Sequence, residues 1–281
     1  MNSQKRALAR WVFQRWPIPV GLRFLIKTVP NPPPGIVTRG ISGFPLRLKF
    51  NPQTYMGKCL YYRGIYEEAI VKRLRKFLKP GMSFIDVGAN VGFYTVIAGH
   101  LVGNEGKVIA FEPQRDLVKL LRSNIEINRL TNVSIEAVAL GVRRSEDFLY
   151  QVSKSNDGQA TLQLNDDEQV IGQPIPVHVN TLDRALADKR IEEVHGIKID
   201  VEGAEVMVLE GFREHLERRN RPKFIYVECI EQHLARFGNS SAELFSFLRG
   251  YEYRLWSLCM GRWRSMDGTN PHHSAHILAF Q

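Results

Sequence analysis

The 281-residue sequence contains only three cysteines, Cys59, Cys229 and Cys259, which lie far apart along the chain. Cysteines this few and scattered provide neither a disulfide framework nor a zinc site, so they indicate a reducing compartment. The sequence also lacks any run approaching the roughly 18 uncharged apolar residues of a membrane-spanning helix. Its 44% hydrophobic and 24% charged residues are ordinary for a folded chain. We therefore expect a cytoplasmic globular protein without a spanning segment.

Acidic side chains are nearly absent from the first 80 residues, which contain only Glu67 and Glu68 against 16 Lys and Arg, a net charge of +14. The remaining 201 residues carry 22 basic and 27 acidic side chains, a net charge of −5. The overall +9 therefore belongs to one end of the chain and does not by itself indicate a nucleic-acid binder. Residues 3–16 have the pattern of a short basic amphipathic helix. Such a helix fits either packing on the protein body through its tryptophans or peripheral contact of residues 1–30 with an anionic membrane.

We divide the chain into a basic N-terminal extension, residues 1–60, and a main domain, residues 61–281. Besides the amphipathic helix, the extension is expected to contain a proline-rich linker at 31–34 and a β-hairpin at 36–50. The main domain begins with a predicted helix at 64–79 and then alternates buried-strand patterns with helical ones. The strand patterns lie at 83–88, 107–113, 133–140, 195–203 and 223–229.

This alternation predicts an α/β fold with a mainly parallel sheet and helices on both faces. Two further strand patterns, 251–258 and 274–280, leave no room for a helix between them, so we expect an antiparallel pair at one end of the sheet. Residues 145–183 contain three short strand patterns separated by turn-rich segments, which is too long for a plain connection. We expect a β-rich insertion there, between the third and fourth core strands.

The most specific motif is Asp86-Val87-Gly88-Ala89-Asn90-Val91-Gly92, at the end of the first core strand. Its two glycines allow a tight turn and a close backbone approach to a ligand at the start of a helix. Glu112, at the tip of the next strand, is placed to accept hydrogen bonds from the ribose hydroxyls of a nucleoside cofactor. The nicotinamide fingerprint is absent, and Asp86 suits a cationic group better than a pyrophosphate. These features favour S-adenosylmethionine; the alternative is that Asp86 only caps the turn.

A second group of ionisable residues, Lys198, Asp200 and Glu202, lies at the end of the fourth core strand. Such groups at the carboxyl edge of a central strand are costly unless they pair or bind a ligand. They predict either an ion pair beside a helix-start acid or a reaction centre that removes a proton from a hydroxyl. Glu228 closes the next strand, where it and Asp200 are candidates to hold a divalent cation or share a proton. His233 is either a base or a surface histidine.

The sequence resembles the FkbM-type S-adenosylmethionine-dependent methyltransferases over roughly residues 60–260. The resemblance rests on FIDVGANVGFYT at 84–95, FEP at 111–113, TLD at 181–183 and IKIDVEGAEVMVLEG at 197–211, with Tyr66-Glu67 and Glu228 in support. It implies a class I, Rossmann-like fold with a seven-stranded sheet, and methyl transfer to a hydroxyl oxygen. The acceptors it implies are sugars of glycans and lipo-oligosaccharides, or polyketide-type natural products.

We expect cofactor contacts from the glycine motif and from residues near the strand ends. The predicted set is Glu67, Asp86, Gly88, Ala89, Asn90, Gly92, Tyr94, Thr95, Glu112, Pro113, Glu136, Val138 and Asp200. The predicted reaction centre consists of Lys198, Asp200 and Glu202, with Glu228 and His233 as further candidates. We expect Asp200 to be the acid nearest the acceptor oxygen, with Lys198 or a divalent cation at Asp200 and Glu228 tuning it.

Two other functions stay open on the sequence alone. An RNA methyltransferase would account for the basic arm, but no N/D-P-P-Y/F motif follows the fourth strand and no basic stripe is interleaved with aromatics. We therefore expect no nucleic-acid partner. A non-catalytic membrane or glycan adaptor on the same fold is the third possibility, and the complete set of motif residues argues against it. We assign no function to His272, His273 and His276.

Overall fold

The computed structural model describes residues 5–6, 29–152, 160–164, 169–218, 221–259, 261–266 and 275–281. The predicted basic helix at 3–16 and the membrane contact predicted for 1–30 therefore lie almost entirely outside the described residues. Within the described ranges, no helix is both long and apolar enough to cross a membrane.

The described ranges contain strands and helices in alternation. The strands are β1 (Val37–Gly40), β2 (Arg47–Phe50), β3 (Ser83–Val87), β4 (Lys107–Phe111), β5 (Val133–Glu136), β6 (Ala139–Leu140), β7 (Ser145–Gln151), β8 (Ala160–Thr161), β9 (Ile175–Asn180), β10 (Gly196–Ile199), β11 (Phe224–Glu228), β12 (Arg254–Cys259), β13 (Arg262–Ser265) and β14 (His276–Phe280). The helices are α1 (Tyr55–Arg63), α2 (Glu68–Phe77), α3 (Phe93–Val102), α4 (Arg115–Ile127), α5 (Leu182–Asp188), α6 (Glu205–Glu210), α7 (Arg213–Leu216), α8 (Glu231–Arg236) and α9 (Ser241–Gly250).

The centre of the fold is an eight-stranded sheet in the order β13-β12-β14-β11-β10-β3-β4-β5. The five strands from β11 to β5 run parallel, whereas β14 is antiparallel to both β11 and β12. Strands β3 and β10 are buried along their whole length, as their apolar sequences require. Each contains one ionisable residue, Asp86 and Lys198, and the register places these two side by side. The predicted α/β class, with a mainly parallel sheet and an antiparallel C-terminal pair, is confirmed.

Two details differ from the prediction. The sheet has eight strands instead of seven, because the chain turns back after β12, through Gly261 at φ 75°, and adds β13 at the edge. Strand β13 is mostly exposed, so no buried apolar run marks it in the sequence. The single strand predicted at 133–140 is two strands: β5 pairs with β4 in the central sheet, whereas β6 pairs with β9 in a second sheet.

The second sheet has four strands in the order β6-β9-β7-β8. Three of them lie within residues 145–183, where the sequence shows three short strand patterns. The sheet has a small hydrophobic core of its own, which includes Leu149, Val177 and Val179. Because β6 precedes residue 145, this sheet also draws on the segment that follows the third core strand.

The N-terminal hairpin β1–β2 forms as predicted and is part of one of the two large hydrophobic cores. Leu48 and Phe50 of β2 are each only 1% exposed. Helix α1, which the sequence analysis missed, follows this hairpin; the Thr54 hydroxyl caps its N-terminus. It runs across the boundary predicted at residue 60. Helix α2 is shorter than the helix predicted at 64–79.

Two asparagines one turn apart, Asn124 on α4 and Asn128 directly after its last residue, dock strand β2. Asn124 accepts a hydrogen bond from the backbone N–H of Lys49 at 2.6 Å and donates to the Lys49 carbonyl at 2.9 Å. Asn128 makes the same pair of bonds to Arg47, at 2.8 and 2.7 Å. Asn124 is fully buried and also donates to the Val91 carbonyl at 2.8 Å, so it joins the hairpin to the predicted cofactor loop.

We expect Asn124→Ala to lower the free energy of unfolding by about 2–3 kcal/mol, because it leaves buried backbone groups unpaired. Asn128→Ala is the matched control, since water can replace its exposed bonds to Arg47. We expect it to cost less than about 1.5 kcal/mol. Urea unfolding of both variants measures the difference, and equal losses would contradict this account.

Candidate active site

A loop of left-handed residues connects β3 to helix α3. Gly88, Asn90 and Gly92 have φ values of 73°, 54° and 88°. A Cβ atom on Gly88 would lie 1.9 Å from the carbonyl oxygen of Asp200, so only glycine fits against the neighbouring strand end. The backbone N–H groups of this loop are bonded within the protein, those of Gly88 and Ala89 to the Phe111 carbonyl, so the loop is fixed against β4. We call residues 88–92 the glycine loop.

Glu112 holds the glycine loop from the end of β4. One carboxylate oxygen accepts a hydrogen bond from the Asn90 N–H at 2.8 Å, and the other accepts one from the Gln114 N–H at 2.9 Å. The side chain is 4% exposed, and burial raises its pKa to about 7 against the lowering effect of these two bonds. A carboxylate has about four acceptor positions. Two of them therefore stay available for the predicted ribose hydroxyls.

Lys198 is the centre of a buried cluster of charges beside this loop. Its ammonium group donates a hydrogen bond to the Gly88 carbonyl at 2.8 Å and lies 3.2 Å from Asp200 and 3.6 Å from Asp86. The lysine side chain is 3% exposed. Burial alone would lower its pKa, but the carboxylates of Asp200 and Asp86 raise the pKa above its ordinary value. Lys198 therefore stays positively charged and links strand β10 to strand β3 and the glycine loop.

Asp86 and Thr95, both predicted to contact the cofactor, are fully buried here. The Thr95 hydroxyl donates to Asp86 at 2.5 Å, and the second carboxylate oxygen faces Lys198. Burial raises the pKa of Asp86, while Lys198 and Thr95 oppose the shift. In this arrangement the two residues position Lys198, and a direct contact with the cofactor stays a prediction.

Three predicted residues gather at the ends of β10 and β11. Single ligand atoms of Glu202, Glu228 and His233 all lie within 4.8 Å of one another, and His233 Nδ1 is 3.0 Å from Glu202. Burial, followed by the charges of Asp200, Glu202 and Glu205, raises the pKa of Glu228 well above its ordinary value. The sequence predicts that Glu228 and Asp200 could hold a divalent cation or share a proton, and the charge of Asp200 does act on Glu228. The three residues with metal-ligand spacing are Glu228, Glu202 and His233. His233 is part of this cluster and 14% exposed, so it is not an ordinary surface histidine.

Glu67 is the centre of a network that the sequence analysis only partly anticipated. The hydroxyl of Tyr94 donates a hydrogen bond to its carboxylate, and His276 Nε2 lies 3.3 Å from the other carboxylate oxygen. His276 Nδ1 is hydrogen-bonded to the Tyr226 hydroxyl at 2.5 Å. Burial and then the Glu67 charge raise the pKa of Tyr94 well above 10.

Neither His276 nor Tyr226 has a function predicted from the sequence. The β11–β14 register places His276 directly opposite Glu228. Only knowledge of the strand order would have revealed this pairing, because the two positions are far apart in the sequence.

The remaining predicted cofactor residues lie along the same edge of the sheet. Ala89 is buried in the glycine loop, and Pro113 follows Glu112. The Glu136 carboxylate forms an ion pair with Lys189 at 2.5 Å, and the Glu136 carbonyl accepts a hydrogen bond from the backbone of Glu112 at 3.1 Å. Val138 packs against the other large hydrophobic core, which contains Ile197 and Ile199 of β10. Glu136 therefore already has a charged partner among the described residues.

Glu205, which the sequence analysis left out, is a buried acid under the reaction-centre turn. It is 2% exposed, and one carboxylate oxygen accepts hydrogen bonds from the N–H groups of Val201 and Gly203 at 3.1 and 3.2 Å. The other oxygen is buried and has no hydrogen-bond partner among the described residues. Burial raises the pKa of Glu205 to about 7, against the lowering effect of its backbone hydrogen bonds.

Comparison with known proteins places this site in a family. A family model for the methyltransferase FkbM domain matches residues 86–255, a range that includes the glycine loop, Glu112 and the Lys198 cluster. The resemblance found in the sequence is confirmed.

Two groups of curated relatives match shorter stretches. Over 70 residues the chain is 46% identical to a probable cobalt-precorrin-6B C(15)-methyltransferase (decarboxylating) from Sulfurisphaera tokodaii, covering 25% of this chain and 36% of that protein. Over 48 residues it is 44% identical to ribosomal RNA large subunit methyltransferase E from Acinetobacter baumannii, covering 17% of this chain and 22% of that protein. The chain thus matches no more than 36% of the length of either relative.

Solved structures with a similar chain path include two methyltransferases. A methyltransferase FkbM from Methylobacillus flagellatus KT is 14% identical, with a TM-score of 0.44 and coverage of 81% of this chain and 55% of that one. An S-adenosylmethionine-dependent O-methyltransferase from Thermotoga maritima is 16% identical, with a TM-score of 0.42 and coverage of 92% and 81%.

The raised pKa of Glu205 makes the stability of the protein depend on pH. A carboxyl group with a higher pKa in the folded state binds its proton more tightly when folded. The stability that the protonated Glu205 contributes is therefore fully present below pH 4.5 and is lost as the pH rises through about 7. Glu205→Gln keeps an acceptor oxygen for Val201 and Gly203 but cannot ionise. We expect this variant to gain stability relative to the natural protein between about pH 5 and about pH 8, by at most about 3 kcal/mol.

Urea unfolding of both proteins at the two pH values, in the presence of a chelator, measures this gain. A stability difference that does not change with pH would contradict the prediction.

Proposed function

The chain belongs to the FkbM methyltransferase family, and we propose that it transfers the methyl group of S-adenosylmethionine to a hydroxyl oxygen of a sugar-containing or related natural-product acceptor. One observation carries this proposal. Lys198 contacts the Gly88 carbonyl of the glycine loop and the carboxylate of Asp200 at the same time. A loop suited to a nucleoside cofactor and an acid suited to proton removal are thereby held next to each other at one edge of the sheet.

The residues around the glycine loop fit this cofactor. Gly88 and Gly92 have no side chain, so the backbone can come close to it, and Glu112 would accept hydrogen bonds from its ribose hydroxyls. When bound, S-adenosylmethionine supplies a methyl carbon already activated by a positive sulfonium. The protein therefore has to position an acceptor oxygen and receive its proton.

Asp200 is the residue best placed to receive that proton. Its side chain is 31% exposed, whereas Asp86, the other carboxylate beside Lys198, is fully buried. Lys198 fixes the orientation of the Asp200 carboxylate from 3.2 Å. An alcohol gives up its proton reluctantly at neutral pH, so the carboxylate that accepts it must be within reach of the hydroxyl and held in place. Asp200 would accept the hydroxyl proton as the carbon–oxygen bond forms.

The charge around this edge favours a sugar-type acceptor over RNA. The charges of Asp200 and Glu202 act on Glu228, and Lys198 is already engaged by the carboxylates of Asp86 and Asp200. A phosphate backbone needs positive side chains to replace its counterions. An acidic edge is unfavourable for phosphates, whereas sugar hydroxyls can donate hydrogen bonds to carboxylates. The short match to a ribosomal RNA methyltransferase is the observation that keeps RNA as the second candidate.

We expect Asp200→Asn to abolish methyl transfer while S-adenosylmethionine binding persists, because Asn cannot accept the proton. Glu112→Gln is the complementary variant, since it replaces one acceptor oxygen beside the glycine loop by a donor, and we expect weaker cofactor binding. Calorimetry with S-adenosylmethionine and transfer of its labelled methyl group separate the two effects. An active Asp200→Asn variant would remove Asp200 from the proposed reaction.

The acceptor can be identified in cells that carry either the natural protein or the Asp200→Asn variant. Mass spectrometry of their glycans, glycolipids and RNA should reveal a methyl increment on a sugar only with the natural protein. An increment confined to RNA would support the second candidate and contradict the first.

A further inference from the structure

We propose that Glu202, Glu228 and His233 bind one divalent transition-metal ion. We call these three residues the metal triad. The site goes beyond the proposed methyl transfer and does not depend on it, because metal binding can be measured without any acceptor.

The first observation is geometric. One ligand atom from each member of the metal triad lies within 4.8 Å of the other two. Metal bonds to imidazole nitrogen and carboxylate oxygen are about 2.0–2.2 Å long, so the ligand atoms of one ion lie roughly 3–4 Å apart. The triad needs only a small inward movement of its side chains to reach that spacing.

The second observation concerns His233 itself. Its Nδ1 atom is buried and makes no hydrogen bond among the described residues, although Glu202 lies only 3.0 Å away. A buried polar atom without a hydrogen bond is costly and calls for an explanation. A neutral imidazole nitrogen with a free lone pair is a common metal ligand.

The third observation is that the three ligands come from three separately fixed elements. Glu228 ends β11, and His233 lies on α8. Glu202 precedes α6, in a left-handed conformation at φ 56°. A Cβ atom on the next residue, Gly203, would lie 2.2 Å from the His233 carbonyl oxygen, so this turn packs directly against α8. Arg236 also donates a hydrogen bond to the Glu202 carbonyl at 3.2 Å.

The fourth observation is an excess of negative charge. The negative charges of Asp200, Glu202 and Glu205 all act on the Glu228 carboxyl group. Glu205 is itself buried, and one of its carboxylate oxygens has no hydrogen-bond partner among the described residues. Lys198, the nearby ammonium group, is already held by Asp86 and Asp200. Burying several carboxylates together is unfavourable unless protons or cations offset their repulsion. A divalent ion bound by the triad would do so.

The donor chemistry selects the kind of ion. Carboxylates suit Mg²⁺, Ca²⁺ and Mn²⁺, whereas imidazole suits Zn²⁺ and other transition metals. A mixed set of two carboxylates and one imidazole therefore favours ions from Mn²⁺ to Zn²⁺ over Mg²⁺ or Ca²⁺. Three protein ligands also leave at least one coordination position open for water or an acceptor oxygen. Only this last point, the contact with an acceptor, rests on the proposed function.

Mn²⁺ is the probe for the experiment. The full chain is stripped with a chelator and titrated with Mn²⁺, and the fall of the free-ion signal is followed by electron paramagnetic resonance; Zn²⁺ is then added as a competitor. We expect one Mn²⁺ per chain, displaced by Zn²⁺. Glu228→Gln, which keeps the size of the side chain, and His233→Ala should each weaken binding at least about tenfold, the loss seen even for residues that only support metal ligands.

Glu231→Gln is the matched control, because Glu231 is exposed on the same helix as His233 and is not a member of the triad. It should bind Mn²⁺ like the natural protein. Thermal unfolding confirms that each variant is folded, and calorimetry with S-adenosylmethionine on the same samples reports the cofactor site separately. Absence of stoichiometric binding at millimolar Mn²⁺, or equal binding by the natural protein and both triad variants, would overturn the proposal.

Discussion

One buried ammonium group holds together the parts of the molecule that matter for its chemistry. Lys198 interrupts an apolar strand in the middle of the sheet, where an unpaired charge would be very unfavourable. Asp86 lies next to it in register on the neighbouring strand, Asp200 follows two residues later, and the Gly88 carbonyl accepts a hydrogen bond from it. Because each partner belongs to a different local structure, the charge balance at Lys198 fixes how the first strand, the fourth strand and the glycine loop are arranged.

The topology explains why these groups meet at this place. From β3 the chain moves outward through β4 and β5, and it later returns to the other side of β3 with β10. The connections that follow β3 and β10 therefore diverge at the carboxyl ends of these two strands, the place where open α/β sheets bind their ligands. The glycine loop follows β3, and Asp200 follows β10. Glu228, a member of the metal triad, ends β11, the strand next to β10.

The sequence predicted the parts of this site that depend on local pattern. The glycine loop, Glu112 and the run from Lys198 to Glu202 follow apolar strands directly, so their place at strand ends can be read from spacing. The network of Glu67, Tyr226 and His276 could not be read in this way. It depends on β14 inserting between β11 and β12, and nothing in the local sequence fixes that order.

Other parts of the fold could not be predicted from the local sequence pattern either. Strand β13 is exposed, and helix α1 lacks the spaced apolar pattern of an amphipathic helix because tertiary packing buries most of its residues. Asn124 and Asn128 look like ordinary polar helix residues in the sequence. Their side chains nevertheless hydrogen-bond to the backbone of β2, as a neighbouring strand would. A long-range partner decides the structure of α1 and of the two asparagines, whereas β13 pairs with β12, its neighbour in the sequence.

The most direct test of the central role of Lys198 is urea unfolding of Lys198→Met, combined with calorimetry of S-adenosylmethionine binding. Met has a similar length but no charge, so it leaves Asp86 buried without its cation. We predict a loss of about 3–5 kcal/mol in the free energy of unfolding, together with loss of cofactor binding. Lys119→Met is the control, because its ion pair with Asp116 is exposed and should be worth less than about 1 kcal/mol. A Lys198→Met variant as stable as this control, with cofactor binding intact, would contradict the account.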